Sequence, residues 1–104
     1  ASLRFHDGQV PTIFHVRKLT RKQVEHVKRQ VSEGDLVREV VCYGLFQVDN
    51  FKEPGQLEIK KKTDPLGERV SDATYDDIFV WNVMFPLALF TLNLSNLNPS
   101  KGQR

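Results

Sequence analysis

The sequence predicts an α+β domain, mostly helical, and three features carry that prediction. Alternating apolar residues in the first seventeen positions read as strands, two capped segments ending in glycine read as a helical hairpin, and a long apolar run reads as a final helix. At 104 residues the chain suits a single domain, because halves of it would be too small to bury a stable core. With 39% hydrophobic and 27% charged residues, it is too apolar to remain disordered.

Residues 12–17 place Ile13 and His15 on one side of an extended chain and Phe14 and Val16 on the other, after Pro11. Residues 3–6 alternate in the same way and end at Asp7-Gly8, which predicts a short hairpin or a lone strand. Thr20 followed by Gln23 has the spacing of a capping box and opens a helix from about Arg21 to Glu33, with Val24, Val27 and Val31 as its stripe and Gly34 as its stop. Asp35 caps a second, short helix with Leu36, Val37, Val40 and Val41 buried and Gly44 at its end, completing an αα-hairpin.

Leu45, Phe46, Val48 and Phe51 form an apolar anchor running into the turn signals Asp49-Asn50 and Pro54-Gly55. Residues 52–70 read as a long, mobile polar loop with room for a brief strand at Leu57–Ile59. Ser71 or Asp72 caps the last helix, where Asp72, Asp76 and Asp77 complement the helix dipole. Its body, Ile78 to Leu92, is apolar nearly all round, and Pro86 is expected to kink or break it. A final segment ends at Asn98-Pro99, and residues 99–104 read as a disordered tail.

Composition narrows the function classes. The apolar run is shorter than the about 20 residues that span a bilayer and carries Asn82 and Pro86, so burial is expected and not a membrane. Cys42, the single cysteine, lies among Val40, Val41 and Tyr43 and reads as a small buried hydrophobe. With no signal segment evident, a reducing compartment is expected, not secretion. His6, His15 and His26 lack metal-ligand spacing, and helix capping accounts for the acidic set. No phosphate-cradling loop, nucleophile elbow or paired carboxylates appear, so neither an enzyme, a cofactor, a metal nor a small-molecule substrate is expected.

Two surfaces remain as candidates. Arg17, Lys18, Arg21, Lys22, Lys28 and Arg29 face only Glu25 and could bind nucleic acid, although a solvated helix face has the same composition. The second helix, with Leu36, Val37, Val40 and Val41 facing inward, is a poor recognition helix for a helix-turn-helix. A helix apolar all round needs cover on every side, so Trp81, Phe85 and Phe90 are expected to face another subunit or partner.

The order of features resembles small tailed-bacteriophage morphogenesis proteins, especially tail assembly chaperones. The matching strings are Phe14-His15-Val16-Arg17-Lys18-Leu19-Thr20 opening onto a basic helix, Gly44-Leu45-Phe46-Gln47-Val48-Asp49-Asn50-Phe51, and Leu94-Ser95-Asn96-Leu97 after a polar loop and apolar helix. Pro86 inside so apolar a helix departs from that pattern. The resemblance implies a non-enzymatic protein of the host cytoplasm or virion, acting by contact with tail or capsid proteins or by self-association. Its contact residues would be Phe46, Trp81, Phe85, Leu89 and Phe90. A nucleic-acid-binding protein using the 17–29 face is the alternative.

Overall fold

The computed structural model describes residues 1–5 and 10–96. Strands β1 (Ser2–Phe5) and β2 (Thr12–Val16) pair antiparallel, with Leu3 opposite Phe14. The alternation in β2 holds, since Phe14 and Val16 are buried while Ile13 and His15 are only partly so. The Asp7-Gly8 turn and His6 lie outside the described residues, as do Leu97, the Asn98-Pro99 stop and the 99–104 tail.

Helix α1 (Arg21–Lys28) starts as its capping box dictates: Thr20 Oγ1 accepts from the Gln23 N–H at 3.2 Å, and Gln23 Oε1 accepts from the Thr20 N–H at 2.9 Å. It stops earlier than its valine stripe suggests. Ser32 takes over as the next N-cap, its hydroxyl accepting from the Asp35 N–H, so Gly34 lies inside α2 (Glu33–Gly44) and Val31 is fully exposed. Ser32 wins over Gly34 because its oxygen satisfies an N–H that the helix start leaves unpaired, and Glu33 and Asp35 then suit the positive end of the dipole.

Gly44 does end α2, and the chain passes directly into β3 (Leu45–Asp49), a strand where the sequence suggested only an apolar anchor. β3 pairs with β2 on one side and with β4 (Gln56–Leu57) on the other, giving an antiparallel sheet of order β1-β2-β3-β4 with the helical hairpin inserted between its central strands. The register of β2 and β3 steps from His15–Gln47 to Val16–Leu45, leaving Phe46 as the extra residue of a bulge. The expected turn after β3 is present, with Asn50 at φ 60° and Gly55 at φ 109°, and Asn50 Oδ1 accepts from the Gly55 N–H at 2.8 Å.

The polar stretch departs from the loop expectation. Lys61–Asp64 (β5) and Gly67–Val70 (β6) form a second antiparallel hairpin closed by Pro65-Leu66. Asp64 Oδ1 accepts from the Leu66 N–H at 2.8 Å, and Gly67 adopts φ 119°, so Asp64-Pro65-Leu66-Gly67 is a tight turn.

Helix α3 (Asp72–Ile78), capped by Ser71, and α4 (Trp81–Asn96) meet at 120° across Phe79-Val80. The sharp bend therefore falls there, and Pro86 sits within a continuous α4 on its exposed side, beside exposed Asn82, whose carbonyl is the one left without the proline N–H. No single helix among the described residues is long and apolar enough to cross a membrane.

One core joins these parts. Phe14, Val16, Leu45 and Val48 from the sheet cluster with Val37, Val40 and Val41 of α2, Ile78 of α3, and Met84, Leu87 and Ala88 of α4. α2 packs against α1, α3, α4 and β6, which is why Val40 through Gly44 are buried without interruption. Ser95 fixes the far end of α4 by accepting from the Leu19 N–H at 2.8 Å.

Candidate interaction surfaces and a buried ionic cluster

Helical spacing of four residues puts Trp81, Phe85 and Leu89 on one line of α4, flanking the side on which Met84, Leu87, Ala88 and Thr91 turn into the core, and Phe85 is half-buried against that core. Trp81 and Leu89 are 38% and 47% exposed, and Phe79 and Val80 at the bend are equally open. The rings run on from one another: Tyr75 to Phe79 at 5.6 Å between centroids, Phe79 to Trp81 at 6.2 Å, and Trp81 stacked on Phe85 at 5.7 Å. Phe90 is half-buried and packs against the core. Exposed Asp76 and Asp77 stand beside this surface on α3.

Phe46 belongs to a different neighbourhood. The bulge sets it on the outer side of the sheet, 36% exposed, with the Arg17 guanidinium over its ring at 5.6 Å and the His15 ring at 6.1 Å. His15 Nε2 lies 2.8 Å from Asp49 Oδ2, and Gln47 donates to the same carboxylate. These hydrogen bonds, that of Gln47 first, hold the Asp49 carboxyl below its ordinary range.

All six residues of the expected basic face are exposed. Arg21, Lys22, Lys28 and Arg29 share the side of α1 opposite buried Gln23 and Val27, and Glu25 among them pairs with Arg21 at 3.7 Å. Arg17 and Lys18 continue this surface toward the β5–β6 hairpin, where Glu68 Oε1 lies 3.4 Å from Arg17 and 3.7 Å from Lys61. An open cavity of about 240 Å³ lies between them, with Arg17, Lys18, Gln23, Tyr43 and Glu68 in its wall.

The third feature joins residues far apart in the chain. Arg69 of β6 is 8% exposed, and its guanidinium donates to Glu39 Oε1 of α2 at 3.1 Å and to Asp72 Oδ1 of α3 at 2.9 Å. Glu39 also meets His26 Nε2 of α1 at 2.8 Å and Arg38 Nε at 3.5 Å. The Tyr43 ring lies 5.1 Å beneath the Arg69 guanidinium, and its hydroxyl donates to Asp64 at 2.6 Å. The cluster thus ties α1, α2, α3 and the second hairpin together. Burial alone would raise the Glu39 carboxyl, but His26 and Arg69 hold it below its ordinary range. Burial likewise pushes the Tyr43 hydroxyl up to about 12, helped by Asp64, and the Cys42 thiol up to about 11 against the pull of Arg69. So high a thiol is not a nucleophile near neutral pH.

Beside this cluster the Tyr75 hydroxyl is buried with no hydrogen-bond partner among the described residues, and burial pushes it up to about 12. An unsatisfied hydroxyl of this kind costs about 1–3 kcal/mol. Tyr75→Phe is therefore expected to leave the fold intact and to raise stability by about 1 kcal/mol in urea unfolding; a loss of that size would mean that the hydroxyl has a partner.

Among the described residues no group of three or more His, Cys, Asp or Glu side chains gathers as a metal site. His15 and His26 each face a carboxylate instead. Nothing in the spacing of Arg69, Glu39 and His26 along the chain announces their meeting; the only local hint is an arginine flanked by Val70 and set three residues before Asp72. Comparison of the chain with protein-family models, curated proteins and solved structures finds no match.

Proposed function

We propose that this chain works by protein–protein contact, as a non-enzymatic structural or assembly component of a tailed phage particle. On this reading it presents the α3–α4 aromatic surface to an apolar segment of a tail or capsid protein, in the host cytoplasm or the virion. The observation that carries the reading is the row of exposed Phe79, Val80, Trp81 and Leu89, with half-buried Phe85 stacked against Trp81, in a stretch from Ile78 to Ser100 that holds no charged residue. Contiguous exposed apolar surface marks association sites, and buried aromatics dominate interface energies. Asp76 and Asp77 at the rim favour a partner segment flanked by lysine or arginine.

Trp81 is the single tryptophan, so its emission reports directly on this surface. Mixing with the tail or capsid partner is expected to shift that emission to the blue. Leu89→Glu, at an exposed position, is expected to weaken co-purification by about tenfold or more, the effect of losing an anchor worth about 1.4–2 kcal/mol. Emission unmoved by the partner, with Leu89→Glu co-purifying as well as the parent, overturns the proposal. Sedimentation of the chain alone over a concentration series shows whether the same surface also meets a second copy.

A further inference from the structure

The basic surface shares no residue with the α4 string, and the fold adds to it something the sequence order hides. β2 runs into Arg17 and Lys18, and the bulge in β3 carries an exposed phenyl ring to the same place, so that Phe46, His15 and Arg17 form one cation–aromatic platform. From that platform Lys18, Arg21 and Lys22 lead along the outward side of α1 to Lys28 and Arg29. Lys61 reaches the platform from the second hairpin through the carboxylate of Glu68 that it shares with Arg17.

We propose that this surface binds single-stranded nucleic acid, an unpaired base stacking on Phe46 and the Arg17 guanidinium while Lys18, Arg21 and Lys22 neutralise the phosphates that follow. An exposed aromatic beside a cationic track is the arrangement that recognises unpaired strands, because every base offers a π-face and every nucleotide a charge. Duplex DNA fits poorly. α2, which would have to act as the recognition helix after α1, is buried from Val40 through Gly44 by α4 and β6, and a ring such as Phe46 has no unstacked base to meet on a duplex. The carboxylates in reach are Glu25, Asp49 and Glu68; Glu25 pairs with Arg21, Asp49 is held by His15 and Gln47 on the platform, and Glu68, paired with Arg17, is exposed enough to swing away as a phosphate arrives.

The test is fluorescence anisotropy of labelled oligo-dT and oligo-U at low salt, with a DNA duplex, heparin and polyglutamate as competitors. Binding to either oligonucleotide is expected to fall about a hundredfold between 50 and 200 mM salt, the dependence for about five phosphates on a single strand. Phe46→Ala is expected to weaken it about tenfold and Phe46→Trp to keep it, in line with the contribution of one stacked base. Arg21→Ser with Lys22→Ser, at exposed positions that cap nothing, is expected to flatten the salt slope. Should Phe46→Ala fail to fold, Phe46→Leu keeps the apolar bulk and carries the same expectation. The proposal is overturned by no binding of either oligonucleotide at micromolar protein, by binding that Phe46→Ala or Phe46→Leu leaves unchanged, or by polyglutamate, heparin or duplex competing as well as the unlabelled oligonucleotide. A preference between oligo-dT and oligo-U supports it and shows that the surface reads either the 2′-hydroxyl or the thymine methyl.

Discussion

Arg69→Met is expected to destabilise the fold by about 3 kcal/mol, the low end of the cost of removing one partner from a buried ion pair. The low end applies because Glu39 keeps His26 at 2.8 Å and Arg38 at 3.5 Å when the guanidinium is gone. Asp72, largely exposed, is simply returned to water. For a domain of this size that loss lowers the melting temperature by about 12–24 °C. Adding Glu39→Gln to Arg69→Met discharges the carboxylate but also weakens its pairs with His26 and Arg38, so the double variant is expected to lie within about 1 kcal/mol of Arg69→Met. The pH dependence has a defined sign. Glu39 lies below its ordinary value in the folded chain, so its contribution is complete above the unfolded carboxylate pKa of about 4.3 and is lost as pH falls through the depressed folded value. The gap between parent and Arg69→Met is therefore expected to narrow below about pH 4 in urea unfolding, and a gap constant down to pH 3 would place the effect in packing alone.

This cluster also marks where reading the chain in sequence order stops working. Local signals translated faithfully: Thr20 and Gln23 cap α1, the 12–16 alternation is β2, and Gly44 closes α2. Each of those depends on neighbours within a few positions. β3 is hard to read because Leu45–Asp49 follows a helix without a turn and its alternation is broken by the bulge that turns Phe46 outward; its main partner, β2, is distant in sequence, and its near partner, β4, has only two residues. The β5–β6 hairpin is hidden in the sequence because lysines on β5 erase the apolar alternation, leaving only Asp64-Pro65-Leu66-Gly67 as a signal, and a turn motif alone does not distinguish a loop from a hairpin.

The candidate surfaces divide in the same way. Trp81, Phe85 and Leu89 follow from helical period, so their common line is legible once a helix is assigned, although Phe85 on it is half-buried, and the basic side of α1 is legible for the same reason. The resemblance groups Phe46 with the α4 aromatics as a contact residue, whereas the sheet sets it beside Arg17 and His15. Pro86 predicted a bend at the wrong residue, because an exposed proline near a helix start leaves its orphaned carbonyl to solvent, while Phe79 adopts an extended backbone that ends α3.

The crossing of α2 and α4 gives the second large effect. Gly44 is the last residue of α2 and packs directly on α4: a Cβ placed on it would stand 2.6 Å from Thr91 Cγ2 and 3.4 Å from the Arg17 carbonyl. Thr91 is fully buried, its hydroxyl committed to the Leu87 carbonyl at 2.8 Å, so its methyl has no open direction in which to turn. Arg17 is equally fixed, since its N–H donates to the Gly44 carbonyl at 2.8 Å and joins the helix end to β2. Gly44→Ala is therefore expected to cost about 2–3 kcal/mol by overpacking, despite alanine's better helix propensity. Thr91→Ser deletes the opposing methyl and keeps the hydroxyl. In the background of Gly44→Ala it is expected to return more than half of the loss, whereas alone it costs about 1 kcal/mol for the buried methyl removed. Two single changes that each destabilise and together cost less than their sum locate the contact between these two side chains. Strict additivity in urea unfolding would instead mean that α2 and α4 do not approach this closely. The same crossing positions both surfaces, because α4 carries the aromatic string on the side turned away from Thr91 while the Gly44 carbonyl anchors Arg17 at the start of the basic track. A clash at Gly44 relieved by moving α4 would alter Trp81 emission, and one relieved at Arg17 would alter oligonucleotide binding.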